Sequence, residues 1–121
     1  MAKEIAPNQL RADLAHFTGT TQWFKNRMFP NFSYTDGVKY LAEKAEAYWL
    51  LDYIFSNQIS PVKEQPFQVW KIAVVNNEGV IKVEDGNANV IKEFKIPFTD
   101  FPLDEYELWF VDNVLLLKSE Y

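Results

Sequence analysis

The sequence predicts an α+β fold, a two-layer sandwich in which one long helix packs on one face of an antiparallel sheet of four to five strands. Three observations predict it. Apolar residues recur with a helical period between residues 36 and 55, and segments rich in β-branched and aromatic residues follow from residue 67. Short turns join these later segments, which requires antiparallel pairing. The length of 121 residues fits one domain, residues 1–121.

A short helix is predicted first, over residues 8–15. Leu10 and Leu14 are four residues apart and therefore share a face of that helix. Asn8 is the expected N-cap, because its side-chain oxygen can accept a free backbone N–H. Residues 21–29 follow as a first strand, since they are rich in β-branched and aromatic residues.

The long helix is predicted to begin at a cap provided by Ser33, Thr35 or Asp36 and to run to about Phe55. One face of it carries a continuous stripe of residues: Val38, Leu41, Ala42, Ala45, Tyr48, Trp49 and Asp52. After Ala47 the helix is apolar nearly all round, which indicates burial on more than one side. Either a second element of the chain covers this part, or a homodimer forms through it.

The sheet is predicted from residues 67–75, 80–84 and 89–96, which form a meander. Turns at 76–79 and Asp85–Gly86 would join these strands, and Asp-Gly suits the positive φ of a tight turn. Two more strands are expected at 106–111 and 114–117. The core should include five residues: Leu41, Ala45, Trp49, Trp70 and Ile72.

The composition excludes several classes of function. Seventeen acidic and twelve basic residues give a net charge of −5, which disfavours direct binding of nucleic acid. The absence of cysteine excludes a thiolate zinc site, and His16 is the only imidazole. No Gly-rich phosphate loop is present, and no apolar run is long enough to span a membrane. We therefore expect a cytoplasmic protein without a membrane association or a cofactor.

The acidic residues are concentrated in the second half of the chain. Residues 61–121 hold eleven acidic and six basic residues, and no base lies between Lys95 and Lys118. Four acids in that interval form the main candidate site: Asp100, Asp104, Glu105 and Glu107. They are interpreted as a solvated loop, as a patch that meets a basic partner, or as an acidic catalytic or metal-binding cluster.

The aromatic residues and one carboxylate supply the other candidates. Twenty aromatics exceed the needs of a two-layer core, so some are expected at the surface, with Tyr53 and Phe55 of the apolar helix as anchors for a partner. Asp52 falls on the apolar stripe of the same helix. As a buried carboxylate it would serve either as a general acid or base, or as a hydrogen-bonded structural group.

Five ordered motifs, spread over nearly the whole chain from about residue 10, carry a family resemblance. They are TDGVKYLAEKAEAYWLLD (35–52), FQVWK (67–71), EDGNANV (84–90), IPFTDFPL (96–103) and LWF (108–110). Together they resemble a family of small uncharacterised bacterial and phage proteins, a domain of unknown function found on plasmids, integrated elements and phages. The resemblance implies one domain and a mobile-element context. It implies no activity and no catalytic residues.

The sequence therefore predicts a non-enzymatic protein-interaction module whose partner carries a basic surface. In a mobile-element context, one specific version is an acidic inhibitor or modulator of a host nucleic-acid-binding defence protein, in which it would occupy a basic groove. The alternative is a small enzyme or ligand-binding domain that uses Asp52 or the acids of residues 100–107.

Overall fold

The computed structural model describes residues 6–20 and 22–121, so the predicted start of the first strand at residue 21 lies outside the described residues. Within the described part, the helices are α1 (Pro7–Ala15), α2 (Asp36–Lys44) and α3 (Tyr48–Ser56). The strands are β1 (Trp23–Lys25), β2 (Ser33–Thr35), β3 (Phe67–Val75), β4 (Glu78–Glu84), β5 (Val90–Ile96), β6 (Glu105–Val111) and β7 (Val114–Leu117). Single-turn 3₁₀ helices lie at Val62–Glu64 and Lys118–Glu120.

The seven strands form one mixed sheet in the order β1-β2-β7-β6-β3-β4-β5. The α+β class is confirmed, but the expectation of four to five antiparallel strands is wrong. Among the described strands, β2 has no counterpart in the predicted segments, because the sequence indicates residues 33–35 only as the entrance to the long helix. It pairs in parallel with β7, with Ser33 opposite Val114. All other pairs are antiparallel.

The predicted long helix is two helices. α2 ends at Lys44, Glu46 takes a left-handed φ of 53°, and the Ala47 N–H donates to the Ala42 carbonyl at 2.8 Å. This is a Schellman-type ending with glutamate in the position that usually holds glycine. The interruption resets the helical phase, so Asp52 leaves the apolar stripe and is exposed.

The helical layer covers one face of the sheet. From α3, four side chains are buried: Leu50, Leu51, Ile54 and Phe55. From the strands, the core includes Trp70, Ile72, Ile81, Val83, Leu108, Phe110, Leu115 and Leu117. Leu41, Ala45, Trp70 and Ile72 are buried as predicted, whereas Trp49 is only half-buried. The buried side of α3 is covered within the chain, and a homodimer through this helix stays a prediction.

The N-terminal helix is confirmed at Pro7–Ala15, but its cap is not. Ala6 occupies the N-cap position and Pro7 begins the helix, so Asn8 lies inside the first turn. At α2 the cap is Thr35, one of the three predicted candidates, whose Oγ1 accepts the Val38 N–H at 3.2 Å.

The predicted turns are present, with one difference in their chemistry. Asn76 and Asn77 both have positive φ, as a tight hairpin requires. In the loop that connects β4 and β5, however, the left-handed residue is Ala88 with φ of 68°, not Gly86. Asp85 organises this loop by accepting the N–H groups of Asn87 and Asn89 at 2.8 and 3.0 Å.

The end of the chain is fastened to the start of α2. One carboxylate oxygen of Glu120 accepts the Thr35 hydroxyl at 2.6 Å and the Leu117 N–H at 2.9 Å, and the other accepts the Gly37 N–H at 3.2 Å. The carboxylate lies against the positive end of the helix dipole. Among the described residues, no helix has the length and hydropathy to cross a membrane.

Candidate interaction surface

Within residues 6–20 and 22–121, the helices cover only one face of the sheet, and we call the other face the open face. Strand alternation points Val69, Lys71 and Ala73 of β3 to this face, because Trp70 and Ile72 point into the core. The register then places Glu107 opposite Lys71 and Trp109 opposite Val69. Leu116 of β7 lies opposite Trp109 and faces the same way.

A group of apolar residues on the open face is separate from the main core. Val69 and Leu116 are buried but are not members of the core cluster. Three rings lie beside them: Phe67, Trp109 and Tyr121. We call these rings the aromatic cluster.

The aromatic cluster is tightly built. Ring centroids are 4.9 Å apart for Phe67 and Trp109, 5.1 Å for Trp109 and Tyr121, and 5.6 Å for Phe67 and Tyr121, all with edge-on geometry. The Trp109 Nε1–H donates to Glu107 Oε2 at 2.6 Å, which fixes the orientation of the indole. Tyr121 is 70% exposed and presents the cluster to solvent.

Next to the aromatic cluster, the surface forms a hollow of about 620 Å³, which we call the charged hollow. Its lining includes the bases Arg11, Lys71, Lys82 and Lys118 and the acids Glu84, Glu105 and Glu107. Lys71 and Glu84 form an ion pair at 3.2 Å. Both signs of charge therefore alternate across this part of the open face.

The four predicted acids do not form one patch of a single sign. Arg11 binds Asp104 at 2.7 Å and also donates to the Glu105 carbonyl at 3.1 Å, where β6 extends beyond the end of β7. Glu105 and Glu107 line the charged hollow among its bases. Asp100 is exposed in the connection between β5 and β6 and is not part of that lining.

Metal binding was one interpretation of these acids. Within residues 6–20 and 22–121, no three side chains drawn from His, Asp and Glu come together as a metal site would require.

The two predicted aromatic anchors lie on the helical side. Phe55 is 1% exposed and packs against Phe32 and Phe110, with centroids 5.5 and 6.0 Å away, so its side chain offers no surface to a partner. Tyr53 is half-buried and meets Phe94 edge-on at 5.4 Å. The positions of both side chains follow from the direction that each residue of α3 faces once the helix restarts after Glu46.

Asp52 is exposed and lines a second hollow of about 530 Å³, on the helical side of the sheet. The interpretation as a buried carboxylate is therefore wrong. It depended on a continuous helix from α2 into α3.

The aromatic cluster was not predicted. Its signal is the alternation of β6, in which Glu105, Glu107 and Trp109 point one way while Leu108 and Phe110 point the other. The cluster also requires β6 to pair with β3 and Tyr121 to pack against Phe67 and Trp109. Local sequence patterns predict neither contact.

The fold just described spans nearly the whole chain, and the similarity of the chain to other sequences covers nearly the same residues. The chain belongs to a family of unknown function (DUF6876). The family model matches residues 8–121. The predicted resemblance to an uncharacterised domain is thereby confirmed, and the mobile-element context stays a prediction. No curated protein matches the chain, and no solved structure matches it.

Proposed function

We propose that this protein is a non-enzymatic protein-interaction module that binds its partner through the open face of the sheet. The observation that carries the proposal is the aromatic cluster, which lies outside the core next to the charged hollow. An antiparallel sheet often leaves one face in water, but such a face is ordinarily polar.

The aromatic cluster has the chemistry of an anchor. Buried aromatic residues contribute most of the binding energy at many protein interfaces. Phe67 and Trp109 are held by one another and by Glu107, so little conformational entropy remains to be lost on binding. Tyr121, the most exposed of the three, would be covered by the partner.

The charged hollow would set the orientation of the partner. Charges at the edge of an interface contribute more to specificity and association rate than to affinity. Because bases and acids alternate here, the complementary surface carries both signs around an apolar centre. From the sequence, the expected partner carries a basic surface.

The more specific version, an acidic inhibitor that occupies a nucleic-acid groove, needs a surface of one sign. Arg11, Lys71, Lys82 and Lys118 stand among the acids of the charged hollow. We therefore propose the interaction function without mimicry of nucleic acid.

Quantitative affinity capture from cells that encode the protein tests this proposal. Tyr121→Ala removes the exposed ring, whose ring contacts are with Phe67 and Trp109. Phe98→Ala is the matched control, because Phe98 is also largely exposed but lies in the connection between β5 and β6. We expect one captured protein to fall about tenfold or more with Tyr121→Ala and to be unchanged with Phe98→Ala. Equal capture by both variants would contradict the proposal.

A further inference from the structure

The hollow around Asp52 has the features of a small-ligand site, and we call it the Asp52 hollow. Its volume is about 530 Å³, within the range of ligand pockets. Its lining consists of Asn26, Arg27, Met28, Tyr34, Tyr48 and Asp52. It lies between the β1–β2 connection and the start of α3, on the opposite side of the sheet from the aromatic cluster.

Asn26 organises the floor of this hollow. Asn26 is 8% exposed, and its Oδ1 accepts the N–H groups of Met28 and Phe29, each at 2.9 Å. Its Nδ2 donates to Asp52 Oδ1 at 3.2 Å. The amide thus fixes both the connecting loop and the orientation of the carboxylate before any ligand arrives.

Tyrosine rings and a methionine form the apolar part of the lining. Tyr34 and Tyr48 meet edge-on with centroids 6.5 Å apart, and Phe24 stacks behind Tyr34 at 5.7 Å. Met28 is 72% exposed. Burial raises the pKa of Tyr48 to about 12.

The two charges of the hollow are of opposite sign. Asp52 and Arg27 are both exposed, and neither forms an ion pair with a described residue. Asn26 is the one hydrogen-bond donor to the Asp52 carboxylate among the described residues. A carboxylate and a guanidinium are thus available on one hollow with an apolar lining.

We propose that the Asp52 hollow binds a small zwitterion, an α-amino acid with an apolar side chain. Asp52 receives the ammonium group and Arg27 receives the carboxylate, the pairing that each charge favours. The side chain of the ligand lies against Met28, Tyr34 and Tyr48. A ligand with both charges pairs with both Asp52 and Arg27, whereas a ligand with a single charge leaves one of these two side chains without an opposite charge.

Three probes test this assignment by NMR titration of the ¹⁵N-labelled protein. L-phenylalanine carries both charges, phenethylamine lacks the carboxylate, and 3-phenylpropionate lacks the ammonium. We expect L-phenylalanine to shift the amide resonances of residues 26–28, 34, 48 and 52. Each analogue should bind more weakly than L-phenylalanine by about tenfold or more. Equal binding of either analogue, or no shift with L-phenylalanine, would overturn the proposal.

Two variants identify the binding groups. Asp52→Asn and Arg27→Gln should each weaken L-phenylalanine binding by about tenfold or more. Glu78→Gln, an exposed change at the start of β4, is the control and should leave it unchanged. In Asp52→Asn the amide oxygen can still accept from Asn26, so the fold should persist, which a thermal melt checks. Unchanged affinity in a folded Asp52→Asn variant would contradict the assignment. Because Tyr121 lies on the opposite side of the sheet, Tyr121→Ala should leave this titration unaffected.

Discussion

Glu120, near the end of the chain, caps the N-terminus of α2. Its carboxylate accepts from Thr35, Gly37 and Leu117 and lies at the N-terminus of α2. Burial raises the pKa of Glu120 even though these hydrogen bonds favour the charged form, and the negative charge of Asp36 adds to the effect. The contact therefore links the stability of α2 to the state of a single carboxyl group.

Replacing Gly37 by alanine tests how closely this contact is packed. An added Cβ would lie 2.7 Å from both Glu120 Oε2 and Leu117 Cδ1. Alanine ordinarily favours a helix by about 1 kcal/mol over glycine, but overpacking costs about 1–3 kcal/mol. We expect Gly37→Ala to lower the free energy of unfolding by up to about 2 kcal/mol in urea titrations. Gly19→Ala is the control, since a Cβ there has no neighbour within 4 Å. A stabilised Gly37→Ala variant would show that the contact is loose.

The pKa of Glu120 predicts a pH dependence with a definite sign. Since folding raises this pKa above the ordinary 4.5, the folded state binds the proton more tightly than the unfolded state does. The resulting stability is complete below about pH 4.5 and is lost as the pH rises through the folded-state pKa. The difference in unfolding free energy between the natural protein and Glu120→Gln should therefore favour the natural protein more at about pH 4 than at about pH 8. The opposite trend would mean that the hydrogen bonds outweigh burial.

Only one half of this contact is predictable from the sequence. Thr35 was among the predicted caps, because the chemistry of a cap is local. Its partner Glu120 is 85 residues further along the chain, and no local pattern connects the two. The same limit applies to Arg11 and Asp104, which are 93 residues apart.

At the scale of elements, chain interruptions decide which side chains reach the surface. The periodicity correctly predicted helical structure on both sides of residue 46, but the interruption there contains neither glycine nor proline. Glu46 adopts the left-handed conformation instead. That one residue moved Asp52 from the predicted core to a surface hollow, whereas strands 67–75 and 114–117 agree with their predicted bounds.

The loop between β4 and β5 provides a test of backbone strain at this scale. Ala88 has a φ of 68°, a conformation that costs an L-residue about 1–2 kcal/mol and glycine almost nothing. Ala88→Gly should therefore raise the free energy of unfolding by about 0.5–1 kcal/mol after the entropy of the unfolded chain is included. Ala88→Val should lower it. Thermal and urea unfolding measure both changes.

Gly86→Ala is the matched variant for this loop. Its φ is not positive, and a Cβ would meet Phe67 at an ordinary 3.6 Å, so the substitution should be tolerated. If Gly86→Ala lowered the free energy of unfolding and Ala88→Gly left it unchanged, the result would favour the predicted Asp-Gly turn over the observed loop.

At the scale of the whole molecule, the sheet divides the protein into two chemically different sides. The helical side buries the main core and carries the Asp52 hollow. The open face carries the aromatic cluster and the charged hollow. The net charge of −5 was predictable from composition, but its arrangement was not, because bases from α1, β3, β4 and the C-terminal turn are interleaved with the acids of β6.

The proposed partner should therefore approach from the open face, and photo-crosslinking in cells that encode the protein measures this most directly. A benzophenone amino acid placed at Tyr121 would report contacts to the aromatic cluster, and the same group at Phe98 would report contacts at an equally exposed position outside it. A partner that binds the open face should give one dominant protein adduct from position 121 that is absent or much weaker from position 98. Equal adducts from both positions, or a dominant adduct from position 98 alone, would contradict it.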